Sequence, residues 1–416
     1  MMVNVMTAGF DAYDSGFLAD PYPTYRRLRE GSPVFYDPEW GLTFIAGYAA
    51  ISSVLKDRSR FGRDFRHRIG VESVDPALYR RLYPPQWPTW TRYIRESFID
   101  LEPPRHTRLR QLVSKALSRR SSESFRPALD AAAERLVDSA LDKGEIEAIA
   151  ELATPIPLLM IADLMGISPE DHPRLVSWSN QIVKVFDENV ADEDGAAAER
   201  ATSDFVAFIE DQIASRRAAR GTDLISTMID VEESADTLTD EEIVATSILT
   251  LNAGHEATVH AIGNALLALS GNPEQFQRLR AGEVDVATAT DELLRFDSPL
   301  QMFERWVLED GVSVEGADLE TGSKVGLLFG SGNHDRDVYG PTADDLDLGR
   351  VPNPHLSFGA GLHFCVGAPL ARIEIEATLS ALSAAVRSLR VESTGPRIES
   401  LVFRGVSSIR LSLEPA

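Results

Sequence analysis

Apolar residues recur at helical spacing over most of the chain from about residue 105 onward. Two of these segments end at a glycine, Gly144 and Gly221, because glycine readily takes the left-handed conformation that closes a helix. Helices therefore dominate the predicted fold. The spacing predicts helices over residues 127–143, 196–220, 240–270, 285–296 and 368–387, and a shorter one over residues 20–30.

Short strands are predicted near both ends of the chain. Residues 34–36, 42–45 and 312–325 contain β-branched or aromatic runs beside turn residues, and residues 402–413 alternate like a hairpin. The predicted fold class is mainly α with minor β (α+β), in a single domain without repeats or low-complexity linkers. Its parts are residues 1–104 (strands, helices and a substrate-access segment), residues 105–300 (the helical core with the central helix 240–270) and residues 301–416 (small strands, the cysteine loop and the C-terminal helix).

The helix over residues 240–270 has the strongest pattern in the chain. Thr239 and Glu242 form a capping box, and apolar residues cover nearly all of its sides, as is typical of a buried helix. Its middle departs from that pattern at Gly254 and Glu256, since glycine weakens a helix and a buried carboxylate is costly unless it is paired. Such departures are expected at functional sites.

Charge and composition exclude some classes of function. The chain has 416 residues, of which 44% are hydrophobic and 25% charged, close to the averages for globular proteins. Lys and Arg total 41 against 64 Asp and Glu, so the formal net charge is −23. A chain this acidic is a poor ligand for nucleic acid.

The cysteine content and the apolar segments indicate where the protein works. Cys365 is the single cysteine, so neither an intrachain disulfide nor a multi-cysteine zinc or iron–sulfur site is available. Residues 1–11 show no signal-peptide pattern, and the apolar stretch over residues 155–167 is too short to span a bilayer. We expect a cytoplasmic protein that does not enter a membrane.

Cys365 lies in a glycine-rich loop directly before a predicted helix. The loop reads Phe358-Gly-Ala-Gly-Leu-His-Phe-Cys-Val-Gly367, and its glycines allow the backbone to approach another group closely. Amides at the start of a helix stabilise a thiolate. Cys365 is therefore a candidate metal ligand or nucleophile, and an inert buried cysteine is the alternative.

This loop resembles the haem-binding loop of the cytochromes P450, Phe-Gly-x-Gly-x-His-x-Cys-x-Gly. The resemblance extends over about residues 10–413. It implies a P450-type domain whose long central helix crosses the haem, with Cys365 as the proximal thiolate ligand of haem b. The matching loop positions are Phe358, Gly359, Gly361, His363, Cys365 and Gly367.

Further positions match the family in order along the chain. Glu292 and Arg295 match its Glu-x-x-Arg motif, a structural pair whose members lie on one helix face. The resemblance also implies haem contacts on the central helix and at the haem propionates. The candidate residues for these contacts are His106, Arg110, Ala253, Arg305 and His355.

The central-helix motif departs from the family at one position. The family pattern Ala-Gly-x-Asp/Glu-Thr implies that the acid relays protons and that the alcohol hydrogen-bonds dioxygen. Here Gly254 and Glu256 match, Ala257 replaces the alcohol, and Thr258 follows about 100° further round the helix. An ordered water or a substrate hydroxyl could replace the alcohol, a bulge could turn Thr258 inward, or the enzyme could use peroxide or couple electrons poorly.

The same resemblance indicates a substrate pocket. If its candidate residues line a pocket rather than ordinary core, they predict an apolar substrate such as an aromatic or polycyclic compound. The candidates are Trp87, Trp90, Tyr93 and Phe98 before His106, Ile182 in a lid helix, and Gln301, Met302 and Phe303 after the Glu-x-x-Arg motif.

The sequence has no dinucleotide-binding pattern, so electrons from NAD(P)H must arrive through a partner. The resemblance implies that this partner is a ferredoxin with its reductase. Residues 103–120 contain six cations and no acid, and they are the candidate docking segment, a solvated face being the alternative. Its candidate contact residues are Arg105, Arg108, Lys115 and Arg119.

The predicted activity is monooxygenation of an organic substrate by a monomeric haem-thiolate enzyme, as a hydroxylation or O-dealkylation. A peroxygenase of the same fold and a haem-containing ligand sensor are the main alternatives. A hydrolase using Cys365 and His363 is a third, although it leaves the predicted propionate partners without a role.

Overall fold

The computed structural model describes residues 11–186, 190–233 and 238–416. The segment before Asp11, for which no signal peptide is predicted, lies outside them. Helices make up 59% of the chain, which confirms the mainly α fold class. None of the helices in the described residues combines the length and the apolar character that a membrane span requires.

The α-helices are, in chain order, α1 (Ser15–Ala19), α2 (Tyr22–Gly31), α3 (Tyr48–Lys56), α4 (Pro76–Leu82), α5 (Pro88–Arg95), α6 (Arg105–Ala116), α7 (Arg119–Lys143), α8 (Pro155–Met165), α9 (His172–Ile182), α10 (Asp192–Ala218), α11 (Leu224–Glu233), α12 (Asp240–Gly271), α13 (Pro273–Arg280), α14 (Val286–Phe296), α15 (Phe329–Gly332), α16 (Arg336–Tyr339) and α17 (Ala368–Ala385).

In the described part of the chain, the strands form one five-stranded sheet and two smaller ones. The large sheet has the order β1-β2-β8-β5-β3, antiparallel except where β2 and β8 run parallel, and the others are β4-β10-β9 and β6-β7. The strands are β1 (Val34–Asp37), β2 (Leu42–Ile45), β3 (Phe61–Gly62), β4 (Glu145–Glu147), β5 (Met302–Val307), β6 (Val312–Val314), β7 (Ala317–Leu319), β8 (Lys324–Leu328), β9 (Val386–Thr394) and β10 (Ile409–Pro415).

Capping residues set the helix starts that the sequence predicts well. The backbone amide of Thr239 donates to the Glu242 carboxylate at 3.1 Å, and the Glu242 amide donates to the Thr239 hydroxyl at 3.2 Å, so the predicted capping box opens α12. Asp285 likewise accepts from two amides of the first turn of α14. The predicted bounds are confirmed at both helices to within a residue or two.

Several predicted boundaries are wrong. Helix α7 begins at Arg119 rather than at residue 127, and Pro127 lies inside it. The hairpin predicted over residues 402–413 is instead formed by β9 and β10, because Leu300 and Phe403 form an isolated bridge that keeps the first half of that segment in a loop. The helix predicted to residue 387 accordingly ends at Ala385, where β9 begins.

The described structure forms two compact units. The large unit comprises the described residues within Met1–Ile69, Phe125–Ile156 and Ala257–Ala416, and the small unit comprises those within Gly70–Ser124 and Pro157–Glu256. All the strands described above belong to the large unit. The boundary between the units falls within α12, after Glu256.

The core of the large unit consists of two apolar clusters, and the side chains of its sheet are distributed between them. Successive residues of a strand point to opposite faces, so Leu327 packs in one cluster and Leu328 in the other. On β5, Met302 belongs to the Leu328 cluster, whereas Phe303 packs against the Leu327 cluster. The face that carries Phe303 is also the face of Arg305, two residues on.

Candidate active site

The loop that holds Cys365 is closed by its own backbone hydrogen bonds. The amide of Cys365 donates to the Phe358 carbonyl at 2.9 Å, and the amide of Phe364 donates to the Gly361 carbonyl at 3.1 Å. Gly361 has φ of +71°, and a Cβ there would lie 2.1 Å from the carbonyl oxygen of Leu55 in α3. Only glycine allows the loop to wind so tightly against that helix.

Cys365 lies at the N-terminus of α17. The amide of Ala368, the first residue of the helix, donates to the Cys365 carbonyl at 3.4 Å. Sγ of Cys365 lies 3.9 Å from the position of a Cβ at Gly367, the N-cap residue. The half-buried thiol is thus close to the positive end of the helix dipole, which favours a thiolate. His363 lies in the one-turn helix Gly361–His363 just before it.

Glu292 and Arg295 form the ion pair that their spacing predicts, and both side chains are completely buried. The Arg295 guanidinium donates to both carboxylate oxygens, at 2.7 Å and 2.8 Å. It also donates to the carbonyls of Asn333, Ala343 and Asp345. The pair therefore connects α14 to the segment that leads into the cysteine loop, and a buried pair with so many hydrogen bonds offsets its cost of desolvation.

His355 and Arg372 meet at Asp291, one residue before Glu292. His355 Nε2 lies 3.2 Å from the Asp291 carboxylate, and Arg372 Nε donates to that carboxylate at 2.8 Å. Although burial alone would raise the pKa of Asp291, these two hydrogen bonds hold it below its ordinary value. The Ser357 amide donates to the other ring nitrogen of His355, at 3.3 Å. In this geometry His355 binds Asp291, and its role at a propionate stays a prediction.

Arg305 lies on β5 and is 4% exposed. Its Nη1 donates to the Glu304 carbonyl at 2.7 Å, and its guanidinium carbon lies 5.4 Å from the centroid of the Phe303 ring. A second guanidinium, that of Arg63, contacts the same carbonyl and the same ring. Arg63 could not be found from the sequence, because no motif or spacing connects it with Arg305.

The unit boundary divides the Ala-Gly-x-Glu-Ala motif of α12 after Glu256. The residues just before that boundary are polar and largely buried. Glu256 is 9% exposed, and burial raises its pKa to about 7. Burial lowers the pKa of His255 to about 4. Among the residues that the structure describes, neither ring nitrogen of His255 has a hydrogen-bond partner, and the same holds for the side-chain amide of Asn252. A Cβ at Gly254 would lie 2.3 Å from Cδ1 of Ile161, so packing against α8 explains this glycine.

Thr258 follows Ala257 in α12 and belongs to the large unit. Its buried side chain hydrogen-bonds Glu374 of α17, a carboxyl group that is 1% exposed. Burial raises the pKa of Glu374 to about 8, although the hydrogen bond from Thr258 acts in the opposite direction. Helix α12 is assigned as α-helical throughout this region, and the option in which a bulge turns Thr258 toward the position of Ala257 stays a prediction.

Ala253 and Ala257 present small side chains on one face of α12. They are four residues apart, Ala253 is exposed and Ala257 is half-buried, whereas His255, Glu256 and Thr258 are buried. Small side chains on one helix face leave room for a flat ring. The large unit itself supplies the small side chain of Ala257, a cysteine at a helix N-terminus and arginines on its sheet, and this donor set fits haem.

Comparison with known proteins decides the family. The family profile described as Cytochrome P450 matches residues 79–290 and 286–393. The chain belongs to the cytochrome P450 family. This P450 is 34% identical to the putative cytochrome P450 133B1 of Xylella fastidiosa (strain 9a5c), over 92% of either chain. It is 30% identical to the biotin biosynthesis cytochrome P450 of Bacillus subtilis (strain 168), over 98% of this chain and 100% of the relative.

A solved structure agrees over nearly the full length. The crystal structure of P450BioI in complex with hexadec-9Z-enoic acid ligated acyl carrier protein has a TM-score of 0.88 and 29% identity, covering 96% of this chain and 99% of that one. The protein is therefore a cytochrome P450 monooxygenase, which binds haem b with a cysteine thiolate as axial ligand.

The small unit of this P450 holds the predicted propionate partners of α6. His106 is completely buried, with its ring 6.5 Å from that of Phe98 in an edge-to-face arrangement. Arg110 follows one turn later and is half-buried. Their contacts to a propionate stay predictions.

The predicted pocket residues of the small unit take part in helix packing. Trp90 is buried, and its indole nitrogen donates to the Ile182 carbonyl at 3.2 Å. The ring of Trp87 lies against Gly195 of α10, where a Cβ would be 1.7 Å from it. Tyr93 and Phe98 are buried as well. These contacts fix α5 against α9 and α10, and a role in substrate binding stays a prediction.

The three predicted pocket residues of the large unit point in different directions. Met302 packs in the apolar core, on the face of the sheet opposite to Phe303. Gln301 is buried, and its amide nitrogen donates to the Ser298 carbonyl at 2.7 Å. Because side chains alternate along β5, Met302 and Phe303 cannot face the same pocket.

The basic segment is partly neutralised by acids of the small unit. Arg105 forms an ion pair with Glu96 at 2.9 Å, and Arg108 forms one with Glu242. Lys115 and Arg119 are exposed and form no ion pair with any residue in the described part of the chain. The charge that a partner could meet therefore lies toward the end of α6 and the start of α7.

Proposed function

We propose that this P450 uses Cys365 as the thiolate ligand of haem b and inserts one atom of O2 into an apolar organic substrate, by hydroxylation or O-dealkylation. The observation that carries the proposal is the placement of the single cysteine at the N-terminus of α17, in a loop that Gly361 seats against α3. When bound, the haem supplies the iron at which O2 is activated. The chain's own residues hold the cofactor and deliver protons.

The absorption spectrum of the reduced, carbon-monoxide-bound protein tests the ligand. The wild type should show a strongly red-shifted Soret band, and Cys365→Ser should lose it while keeping a folded far-ultraviolet spectrum. A conventional haem band in the wild type would contradict thiolate ligation, and a colourless protein would contradict the haem assignment.

Two carboxyl groups are suited to proton delivery. Glu256 has a pKa of about 7, so it can both take up and release a proton at neutral pH. Glu374 holds a proton to a higher pH and is hydrogen-bonded to the Thr258 hydroxyl, the residue after Ala257. An ordered water or a substrate hydroxyl beside Ala257 then completes the path, in the place of the family's alcohol.

Restoring the alcohol tests this path. Ala257→Thr should change the fraction of reducing equivalents that reach product, because the new hydroxyl displaces the water or competes with the substrate hydroxyl. Product and hydrogen peroxide are measured against NAD(P)H consumed, with Thr258→Val as the comparison variant. Unchanged coupling in Ala257→Thr would contradict the proposal.

A peroxygenase is the second candidate function, and Ala257 is the observation that favours it. Turnover with hydrogen peroxide alone, at a rate matching that of the complete electron-transfer system, would establish it. The monooxygenase proposal expects peroxide-driven turnover to be much slower.

The solved P450BioI structure contains a fatty acyl group on a carrier protein. Long acyl chains therefore join aromatic and polycyclic compounds in the proposed substrate class. Titrating the ferric protein with hexadecenoic acid and with a steroid, and following the spin-state change of the Soret band, separates these groups.

The electrons come from NAD(P)H through a ferredoxin reductase and a ferredoxin, and the ferredoxin docks on Lys115 and Arg119. The proposed location is the cytoplasm, where a chain with one cysteine needs no disulfide. The proposed working form is a monomer, which sedimentation of the holoprotein tests.

A further inference from the structure

Two arginines that are 242 positions apart in the sequence meet over one aromatic ring of the large unit. The guanidinium carbon of Arg63 lies 4.3 Å from the centroid of Phe303, and that of Arg305 lies 5.4 Å from the same point. Both Nη1 atoms donate to the Glu304 carbonyl, at 3.0 Å and 2.7 Å. Like charges held this close favour a site where anionic groups bind.

The local fold holds both guanidinium groups in place. Arg305 is 4% exposed and projects from the same face of β5 as Phe303. Arg63 follows β3, which pairs with β5 through Gly62 and Trp306. The neighbouring residues Asp64 and Phe65 are buried, which anchors the backbone of Arg63.

The arginine pair is connected to the cysteine loop by direct packing. The Phe303 and Phe329 rings lie 6.4 Å apart, and a Cβ at Gly359 of the cysteine loop would lie 3.9 Å from the Phe329 ring. Gly361 of the same loop lies against Leu55, eight residues before Arg63. Within the large unit, the two guanidinium groups and Cys365 therefore belong to one continuous region.

We propose that Arg63 is a second guanidinium partner of the haem propionates, beside Arg305. This inference rests on the proposed haem site. Haem b carries two propionate carboxylates, and the planar guanidinium group binds a carboxylate through two parallel hydrogen bonds. The two arginines beside the Phe303 ring match in number the two carboxylates at one edge of the porphyrin.

The rate of haem loss tests the proposal without any measurement of turnover. Holoprotein is mixed with excess apomyoglobin, and the transfer of haem is followed by absorption. Arg63→Gln should lose haem about tenfold faster than the wild type, a change of the size expected for one charge-assisted hydrogen bond. The matched control is Arg58→Gln, five residues before Arg63, whose side chain is exposed and which should lose haem at the wild-type rate.

Haem dimethyl ester, whose propionates carry no charge, separates direct binding from a structural effect. Esterification should accelerate haem loss from the wild type markedly and from Arg63→Gln much less, since the variant lacks the guanidinium group that binds the charged propionate. An equal ester effect in both proteins, or haem loss from Arg63→Gln at the wild-type rate, would overturn the proposal.

Arg63→Lys keeps a positive charge without the planar fork, and it replaces Arg63→Gln if that variant does not fold. A smaller ester effect than in the wild type supports the proposal, and an unchanged one contradicts it. The carbon-monoxide spectrum of the wild type keeps the two hypotheses apart. If the wild type shows a thiolate spectrum and Arg63→Gln retains haem as well as the wild type does, only this inference fails. If the wild type shows no thiolate spectrum, the proposed haem site itself fails.

Discussion

Glu374 is a buried carboxyl group whose protonation should be visible in the stability of the protein. Burial raises its pKa from 4.5 to about 8, so the folded chain binds this proton more tightly than the unfolded chain does. The stabilisation is fully present below pH 4.5 and is lost as the pH rises through about 8. The free energy of unfolding of the wild type should therefore fall between pH 5 and pH 8 relative to that of Glu374→Gln.

Urea unfolding of the two proteins at several pH values measures this difference. Thr258→Val removes the hydrogen bond that lowers the pKa of Glu374, so in this variant the loss of stability should extend to higher pH. Parallel curves for the wild type and Glu374→Gln would show that Glu374 does not titrate in this range.

Residues that pair within one turn could be predicted from the sequence, and residues that pair across the fold could not. Glu292 and Arg295 lie three positions apart on one helix, so helical geometry alone brings them together. Thr258 meets Glu374 and Arg63 meets Arg305 only because distant elements pack. No single-sequence pattern carries that information, and this is why both pairs emerge from the structure.

At the scale of elements, the two left-handed glycines of the cysteine loop differ in how much they tolerate a side chain. Gly359 has φ of +66° and open space around a Cβ, whose nearest neighbour would be at 3.9 Å. Gly359→Ala should cost only the left-handed conformation, about 1–2 kcal/mol. Gly361→Ala would in addition drive its Cβ into the backbone oxygen of Leu55. It should therefore lose more haem and melt at a lower temperature.

Thermal unfolding and haem content of the two purified variants make the comparison. Equal losses in both would mean that the contact with Leu55 relaxes easily, and that conformation alone requires glycine at these positions.

The elements themselves were predictable where local chemistry marks their ends. Capping residues mark the starts of α12 and α14, and turn glycines separate the short strands β6, β7 and β8. The C-terminal hairpin was mispredicted because β10 pairs with β9 across a loop, and strand pairing of this kind depends on long-range contacts. The start predicted at residue 127 is too late, because apolar spacing becomes regular only there, whereas α7 begins at Arg119 and includes Pro127.

At the scale of the whole molecule, the distribution of charge matters more than its sum. A net charge of −23 repels an acidic partner on average, yet residues 103–120 concentrate six cations without an acid. The sequence predicted this segment as a docking surface, and the structure distinguishes cations already paired with Glu96 and Glu242 from exposed ones. Which acids would neutralise the segment could not be read from the sequence.

Docking on the exposed cations predicts a specific dependence on salt. Reduction of the wild type by an acidic ferredoxin should slow as ionic strength rises, because screening weakens the steering. The double variant Lys115→Glu, Arg119→Glu should be reduced more slowly at low salt and should depend less on salt. Arg105→Gln, whose guanidinium is already paired with Glu96, serves as the control and should stay close to the wild type. Stopped-flow reduction under carbon monoxide gives these rates. A salt-independent rate in the wild type, or an equal effect of Arg105→Gln, would place the docking surface elsewhere.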